Sequence, residues 1–558
     1  MTEYSSENIV EGNIIDVINR RIYKGSIRVE NGRISEISEN RNLDSDKYIL
    51  PGFIDSHIHI ESSMLTPSEF ARLAVVHGTV ATVSDPHEIA NVLGVEGVEF
   101  MIKNGEEIPF KFYFGAPSCV PATGFETSGA EISLDDINEL IYNPKIKYLS
   151  EMMNFPGVIY DSPDVMKKIE FAKNAEIYQD GKLVKTGKPI DGHAPGLRGE
   201  ALRKYIAAGI TTDHETFELD EALEKISLGM KISIREGSAA KNFNALHKLI
   251  QTNPNMCMFC SDDKHPDDLA AGHINLLVRR ALALGYDLFD VLRIASLNPA
   301  EHYSLDVGLL RIGDDADFII VDNLNDFNIV ETYIQGKKAA EAGKSLINSV
   351  KVLPVNKFNC EPKKASDFYL QPKGGKIRVI SAIEGQLITD SLLEEEFIEN
   401  GCLVSNIEND ILKITVVNRY FNAPPALGFI KGFGLKKGAI ASSVGHDSHN
   451  IIAVGVTDED IAEAVNTVIE AKGGMVVNNG NSVEILPLPI AGLMTSEDGY
   501  ETAEKYSKLN SIAKSLGTTM NAPFMTLSFM ALLVIPKLKL SDRGLFDGEK
   551  FEFVGLYA

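Results

Sequence analysis

The sequence is poor in the features that mark secreted and membrane proteins. It has five cysteines, scattered and odd in number, which do not make a disulfide framework. The N-terminus, MTEYSSENIVEGNIIDV, lacks the basic and then apolar pattern of a secretory signal. The most apolar late stretch, FMTLSFMALLVIP, is bounded by Pro523 and Pro536 and is too short to span a bilayer. We therefore expect a cytoplasmic protein with no membrane partner.

Positive charge is also scarce. The chain has 54 Lys and Arg against 78 Asp and Glu, which gives a formal net charge of −24. A surface this acidic repels phosphate backbones, so the composition argues against nucleic acid as a partner. It does not argue against a neutral small-molecule substrate. With 44% hydrophobic and 24% charged residues, the chain has the composition of a globular protein.

Strand-forming and helix-forming stretches alternate along the first half of the chain. Eight strands separated by helical segments within roughly 250 residues are typical of a (β/α)₈, TIM-type barrel. The predicted strands are GFIDSHIH, TVATVSD, FKFYFGAP, KYLSE, PIDGHAP, GITTDH, KISIREGS and MCMFCSDD. We predict an α/β fold with this barrel at residues 51–300.

The barrel is predicted to interrupt a smaller domain. Short strands with turns occupy residues 1–50, where Asn31-Gly32 reads as a hairpin turn, and the pattern returns at residues 301–353. These two segments are expected to pair in one split β-sandwich domain. The polar residues 354–375 read as a linker. Residues 376–558 then alternate strands and helices and predict a separate α/β or α+β domain.

Polar residues gather at the carboxyl ends of the predicted barrel strands, where barrel enzymes place their chemistry. Six side chains end five of these strands: His57, His59, Glu151, His193, His214 and Asp262. His57 and His59, two residues apart, point to the same side of a strand. One histidine at a strand end is more often a hydrogen-bonding loop residue, but six such residues together favour a metal site. Four imidazoles and two carboxylates could hold two divalent ions with a carboxylate between them.

The motifs around these residues resemble the amidohydrolase superfamily and, within it, the bacterial adenine deaminases that carry an extra C-terminal domain. The resemblance covers essentially the whole chain. Its carriers are LPGFIDSHIHIESSM, SDPHEIANVLG, EMMNFPGV, DGHAPGL, GITTDHE, REGSAAKN and FCSDDKHP. The resemblance implies a metal-dependent hydrolase that converts adenine to hypoxanthine and ammonia in purine salvage.

The resemblance also implies roles for the strand-end residues. His57 and His59 would bind one ion, His193 and His214 the other, and Glu151 would bridge them. Asp262 would bind one ion and transfer protons, and we prefer it to Asp263 because it comes first after the strand. Mn²⁺ or Fe²⁺ is the expected metal, with Zn²⁺ as an alternative.

Further residues are candidates for either a functional or a structural role. Glu61 and Glu215 are candidates for the donor that protonates the adenine ring, with an ion pair or a cap as the alternative. Arg235 and Glu236 are candidates for contact with the base, and a structural ion pair is the alternative. His87 either lines the site or is structural. In the C-terminal part, His446, Asp447 and His449 form a cluster whose role is left open.

Two other functions remain in view at this stage. Another metal-dependent amidohydrolase, acting on a cyclic amide or a related purine, would share every metal ligand. An inactive scaffold with the same fold would be expected to lack several ligands. By family habit we also expect a homo-oligomer, namely a dimer.

Overall fold

The computed structural model describes residues 8–179, 182–238, 240–384 and 386–558. The chain divides into two compact units. Unit 1 comprises residues 1–86, 99–118 and 133–351, and unit 2 comprises residues 87–98, 119–132 and 352–558. The domain limits predicted from the sequence stay predictions.

The chain begins with strands of a mixed sheet in unit 1. Their bounds are β1 Asn8–Asp16, β2 Arg21–Glu30, β3 Arg33–Glu39 and β4 Tyr48–Pro51. In β2 every second residue from Gly25 to Val29 is buried, the period expected of a strand with one face on a core. Asn31 and Gly32 join β2 to β3 with φ of 51° and 79°. Two consecutive left-handed residues make the tight hairpin turn predicted for this Asn-Gly pair.

The barrel strands follow, and each predicted strand is present. Their bounds are β5 Phe53–His59, β6 Thr79–Ser84, β7 Lys111–Ala116, β8 Ile146–Met152, β9 Glu176–Gln179, β10 Lys182–Lys185, β11 Ile190–Gly192, β12 Thr212–Asp213, β13 Lys231–Arg235, β14 Cys257–Cys260 and β15 Asp262–Asp263. β9 and β10 form a separate antiparallel hairpin. The others run parallel in two ladders, β11-β8-β7-β6-β5-β15 and β12-β13-β14. Buried apolar runs such as the interior of β6 fit strands covered on both faces.

Helices separate the barrel strands along the chain. Their bounds are α1 Pro67–Ala74, α2 His87–Leu93, α3 Val95–Glu106, α4 Leu134–Tyr142, α5 Phe155–Ile159, α6 Pro163–Lys173, α7 Gly199–Ala207, α8 Leu219–Ser227, α9 Phe243–Leu246, α10 Leu249–Thr252, α11 Pro266–Ala271, α12 Ile274–Ala283, α13 Leu288–Leu292 and α14 Asn298–His302. Ser133 begins α4 with a capping box, in which its hydroxyl and the Asp136 carboxylate each bond the other residue's backbone N–H.

The chain then returns to the first sheet. The returning strands are β16 Phe318–Val321, β17 Ile329–Ile334, β18 Lys337–Glu341 and β19 Lys344–Ser345. β16 pairs with β4, so segments before and after the barrel share one sheet of order β19-β18-β17-β16-β4-β1-β2-β3. Its core includes Ile27, Ile49 and Phe318. The predicted fold class, a barrel with a split β-rich part, is confirmed.

Unit 2 is built on a second, largely antiparallel sheet of order β21-β20-β25-β24-β27-β26-β28-β29. Its strands and those that follow are β20 Lys376–Ala382, β21 Thr389–Glu395, β22 Ile398–Glu399, β23 Cys402–Leu403, β24 Ile411–Val417, β25 Ala426–Lys431, β26 Ala439–Ser442, β27 Ile451–Gly455, β28 Gly474–Asn478, β29 Val483–Pro487, β30 Leu538–Ser541, β31 Gly544–Asp547 and β32 Glu552–Phe553. Its later helices are α15 Asp458–Glu470, α16 Gly499–Ser515 and α17 Pro523–Phe529. α15 buries Ile461, Val465 and Val468 in a core shared with the sheet. In the part of the chain that the structure describes, no helix combines the length and apolarity needed to cross a bilayer.

Candidate metal centre

The first part of the site is the end of β5. His57 and His59 are buried there, with their Nε2 atoms 3.3 Å apart. His59 Nδ1 donates to the backbone carbonyl of Asp85 at 3.1 Å, which holds the other ring nitrogen towards the centre. The His57 ring stacks on that of His214 with centroids 3.9 Å apart.

The last barrel strand brings a carboxylate to the same place. β15 pairs with β5 in parallel, with Asp262 opposite Ile58 and Asp263 opposite His59. Asp262 Oδ1 lies 3.1 Å from His59 Nε2 and 3.8 Å from His57 Nε2. Asp262 has φ of 58°, a left-handed conformation that aspartate tolerates better than most residues.

Glu151, next to the end of β8, lies between the two halves of the site. Its Oε1 is 3.5 Å from His59 Nε2. Its Oε2 is 2.8 Å from His193 Nδ1 and 3.1 Å from His214 Nε2. The two oxygens of one carboxylate therefore face different histidines, those of β5 on one side and those that follow β11 and β12 on the other.

Arg235, the last residue of β13, ion-pairs with two carboxylates of the site. Its guanidinium bonds both Asp262 and Glu215, with Nη2 3.1 Å from Glu215 Oε2. Arg235 is only 1% exposed. The Glu215 Oε1 atom also lies 3.8 Å from His214 Nε2 and 3.9 Å from His193 Nδ1. The ion pair that the sequence gave as one possibility for Arg235 is present, and its contact with the base stays a prediction.

The remaining predicted residues lie in different surroundings. Glu61 is buried in the short 3₁₀ turn Ile60–Ser63 after β5. Asp263 accepts from Ser62 Oγ at 2.5 Å. Glu236 pairs with Arg280 at 3.0 Å and lines a cavity of about 150 Å³ with Lys264 and His273. His87 belongs to unit 2, where it is buried at the start of α2.

One residue of the cluster was not predicted. Asp85 follows β6 directly, is buried, and has a potential ligand atom within 4.8 Å of those of His59 and Glu151. The strand-end rule that identified the other residues applies equally to TVATVSD, so the signal was present in the sequence.

The charges in the cluster shift the pKa values of its members in opposite directions. Burial raises the pKa of Glu151, but His193 and His214 outweigh it and hold that pKa well below its usual range. Burial likewise raises the pKa of Asp262, and Arg235 and His59 outweigh it. Burial lowers the pKa of His193, whereas Glu151 and Glu215 raise it to about 9. The lowered pKa values of Glu151 and Asp262 favour the ionised form, in which a carboxylate binds a metal.

Unit 2 contains its own buried polar cluster. His446 Nδ1 lies 3.6 Å from both Glu88 Oε1 and Asp447 Oδ1, and its ring stacks on Phe529. His449 is fully buried nearby, with its ring centroid 5.6 Å from that of His446. The sequence left the role of this cluster open, and it stays open.

Comparison with known proteins identifies the family. The profile of the amidohydrolase family matches residues 48–339, and that of the adenine deaminase C-terminal domain matches residues 386–552. The adenine deaminase of Sulfurovum sp. (strain NBC37-1) is 58% identical over 546 residues, covering 98% of this chain and 99% of that protein. The chain belongs to the adenine deaminase family. Two other adenine deaminases, from Methanosarcina mazei and Salinibacter ruber, are 55% and 53% identical and cover 98% of this chain, which covers 99% and 98% of theirs.

The adenine deaminase family lies within the amidohydrolases, which generally depend on a divalent metal. The residues present fit such an ion. In unit 1, three sets of side chains have potential ligand atoms within 4.8 Å of one another: His57, His59 and Asp262; His57, Glu151 and His214; and His193, His214 and Glu215. Imidazole nitrogen and carboxylate oxygen suit Mn, Fe or Zn.

Proposed function

We propose that this enzyme catalyses the hydrolytic deamination of adenine to hypoxanthine and ammonia, a reaction of purine salvage. The observation that carries the proposal is 58% identity to an adenine deaminase over 98% of the chain. The match includes the C-terminal domain at residues 386–552 as well as the barrel. A barrel alone would not select adenine, because one fold hosts many reactions.

We further propose two divalent ions as cofactors, Mn²⁺ or Fe²⁺ in first place and Zn²⁺ as the alternative. His57, His59 and Asp262 would hold one, and His193 and His214 the other. Support comes from Glu151, whose Oε1 faces His59 at 3.5 Å while its Oε2 faces His193 at 2.8 Å. A carboxylate placed in this way can bridge two ions. When bound, such ions act as Lewis acids and lower the pKa of water from 15.7 towards about 7.

The reaction forms a C6–O bond and breaks the exocyclic C6–N bond. Water supplies two protons, of which one ends on a ring nitrogen of hypoxanthine and the other on departing ammonia. Asp262 is the proposed carrier of the proton that reaches the amine. Arg235 supports this role because its ion pair fixes the Asp262 side chain, whose Oδ1 lies 3.1 Å from His59 Nε2. General acid–base groups of this kind contribute about 10²–10⁴-fold.

Glu61 is our preferred donor to the ring nitrogen. Its rival, Glu215, has both carboxylate oxygens bonded to Arg235, which favours a fixed carboxylate over a proton donor. Glu61 is buried in the 3₁₀ turn after β5, two residues beyond His59. Direct contact of Arg235, Glu236, His87 or Asp263 with the base stays a prediction.

The test is ammonia release from adenine by protein purified with Mn²⁺. The His59→Ala and Glu151→Ala variants should lose the activity, since each removes a proposed ligand. His247→Ala is the matched control, because His247 bonds Tyr286 at 2.6 Å and is partly exposed. It should keep normal activity.

The same assay separates the alternatives. Turnover of a cyclic amide or of another purine, with none of adenine, would contradict the substrate and keep the metal-dependent hydrolase. No turnover of either class by metal-loaded protein would contradict catalysis altogether and favour a scaffold. A dimer, also proposed, would be tested by light scattering of the same preparation.

A further inference from the structure

The barrel ladder is interrupted between the strands that precede two of the proposed ligands. β11 ends one ladder and β12 begins the next, and β11 and β12 have only three and two residues. Among the described residues, no strand pairing joins them. A few bonds cross the gap, such as Thr211 N–H to Ile190 O at 2.9 Å. His193 and His214 follow these short strands directly, so their positions depend on other contacts.

Lys225, on the buried face of α8, bonds to both sides of this gap. Its side chain is 0% exposed. Its ammonium donates to the backbone carbonyl of Ala194 at 2.8 Å and to Asp213 Oδ2 at 2.9 Å. Ala194 is the residue after His193, and Asp213 is the residue before His214. A single ammonium therefore holds both ligand-bearing segments.

Other bonds close the same network. Asp213 Oδ1 accepts the Ala194 N–H at 2.8 Å, so Asp213 and Lys225 together bind both backbone groups of Ala194. Thr216 Oγ1 donates to Asp213 Oδ2 at 2.5 Å and also lies 3.0 Å from Lys225 Nζ. Glu221 Oε1 accepts from Lys225 at 2.6 Å and from the Gly196 N–H at 3.0 Å.

The charged groups of this network depend on one another because they share a single cation. Two carboxylates, Asp213 and Glu221, surround one ammonium, and all three side chains are buried. Removing one partner of a buried ion pair leaves the others uncompensated, which is strongly unfavourable. Groups of this kind behind metal ligands typically change metal affinity by about 10–100-fold when mutated.

We propose that Lys225 is a positioning residue for the His193–His214 half of the metal centre. It makes no bond to a proposed ligand atom and acts through Ala194 and Asp213. The proposal rests on the two-ion arrangement proposed above. Loss of the Lys225 ammonium should weaken the ion held by His193 and His214 and leave the ion held by His57, His59 and Asp262 in place.

The test compares Lys225→Met with Lys413→Met in full-length protein purified with Mn²⁺. Lys413 is a matched control in unit 2, since it is 2% exposed and bonds one carbonyl, that of Phe368, and one carboxylate, that of Asp458. The readouts are metal content per chain, chelator competition, and the electron paramagnetic resonance spectrum of the bound Mn²⁺. Wild type and Lys413→Met should hold two coupled ions. Lys225→Met should hold about one, with the spectrum of an isolated Mn²⁺ ion.

Two milder variants keep the proposal testable if Lys225→Met does not fold. Asp213→Asn retains Oδ1 for the Ala194 N–H but turns a donor towards Lys225, so it should show the same selective loss. Glu221→Gln keeps an oxygen for Lys225 and Gly196, so it should lose little metal.

The outcomes separate this proposal from the proposed function. Retention of two coupled ions by Lys225→Met or Asp213→Asn, with unchanged chelator sensitivity, would overturn the positioning role and leave the function intact. Equal loss of both ions in a folded variant would also overturn it, because the effect would not be confined to one half. Wild-type protein that binds no metal would overturn both the positioning role of Lys225 and the two-ion arrangement on which it rests.

Discussion

At the scale of single residues, two neighbouring aspartates have different partners. Asp262 faces His59 at 3.1 Å and pairs with Arg235, whereas Asp263 accepts a hydrogen bond from Ser62. We expect Asp262→Asn to lower kcat for adenine by about 10²–10⁴-fold, since the amide cannot accept the proton. Asp263→Asn, the matched control, should cost much less. Ammonia release measures both, and a larger loss in Asp263→Asn would reverse the assignment.

Arg235 offers a second prediction at this scale. Its guanidinium bonds both oxygens of Glu215 through Nη1 and Nη2 while Nη1 also bonds Asp262, a planar arrangement that an ammonium does not reproduce. Arg235→Lys should therefore lower kcat by about tenfold or more, while metal content stays normal because no proposed ligand is removed. Equal activity of Arg235→Lys and wild type would show that charge alone suffices.

At the scale of secondary-structure elements, the chain between β4 and β5 approaches β6 closely at one glycine. A Cβ at Gly52 would lie 2.4 Å from a Val80 methyl group, too close for any side chain. We expect Gly52→Ala to destabilise the protein by about 1–3 kcal/mol, as overpacking does. Gly124→Ala has open space and should be neutral. Thermal unfolding measures the change, and the double variant Gly52→Ala/Val80→Ala should recover part of it. No recovery would mean that the clash is not with Val80.

A buried lysine on β30 makes stability depend on pH. Lys539 Nζ donates to the carbonyls of Leu387 and Phe529, and burial lowers the pKa of Lys539 to about 7. In the unfolded chain this pKa returns to about 10.4, so between these values the unfolded state binds the extra proton. The contribution of Lys539 to stability is therefore least favourable below pH 7 and improves as pH rises towards 10.

The measurement is chemical unfolding of wild type and Lys539→Met at several pH values. The difference between the two proteins isolates Lys539 from other titrating groups. This difference in unfolding free energy should shift in favour of wild type from pH 7 to pH 9. The two hydrogen bonds to carbonyls that Lys539→Met loses should add the same amount at every pH. A difference independent of pH would mean that Lys539 titrates normally.

The strands and helices also show how much of the structure could be predicted from the sequence. Even the two-residue strand β12 was predicted, because GITTDH repeats the pattern of a strand that ends in a proposed ligand. Local pattern carried no comparable signal for Lys225, since LDEALEKIS resembles any exposed amphipathic helix. Its inward position follows from packing of α8 on the barrel. The choice of Asp262 over Asp263 remains a prediction, supported by the 3.1 Å between Asp262 Oδ1 and His59 Nε2.

At the scale of the whole molecule, the net charge of −24 should affect substrate capture little. Long-range fields steer charged ligands, and adenine is neutral at pH 7. We expect kcat/KM for adenine to change by less than about twofold between low salt and physiological salt, at which the Debye length is about 8 Å. Steady-state kinetics across that range would check it. A steep salt dependence would point to a charged substrate instead.

Metal binding should stabilise the folded molecule because its proposed ligands come from distant parts of the chain. His57 and His59 lie in β5, Glu151 in β8 and Asp262 in β15. Two bound metal ions would therefore link these barrel strands. A ligand that binds only the folded state stabilises it by about 2.7 kcal/mol at one hundred times its Kd. Chelation should therefore lower the apparent Tm of wild type by several degrees and abolish ammonia release, and Mn²⁺ should restore both.

The control for this last experiment is Glu151→Ala, which removes the proposed bridge. Its Tm should respond much less to chelator or to Mn²⁺, because the two ions lose their shared ligand. Lys413→Met should respond as wild type does, since Lys413 lies in unit 2 and bonds only to Phe368 and Asp458. If wild type and Glu151→Ala respond equally, the stabilising ion is bound elsewhere, and Glu151 does not bridge two metals.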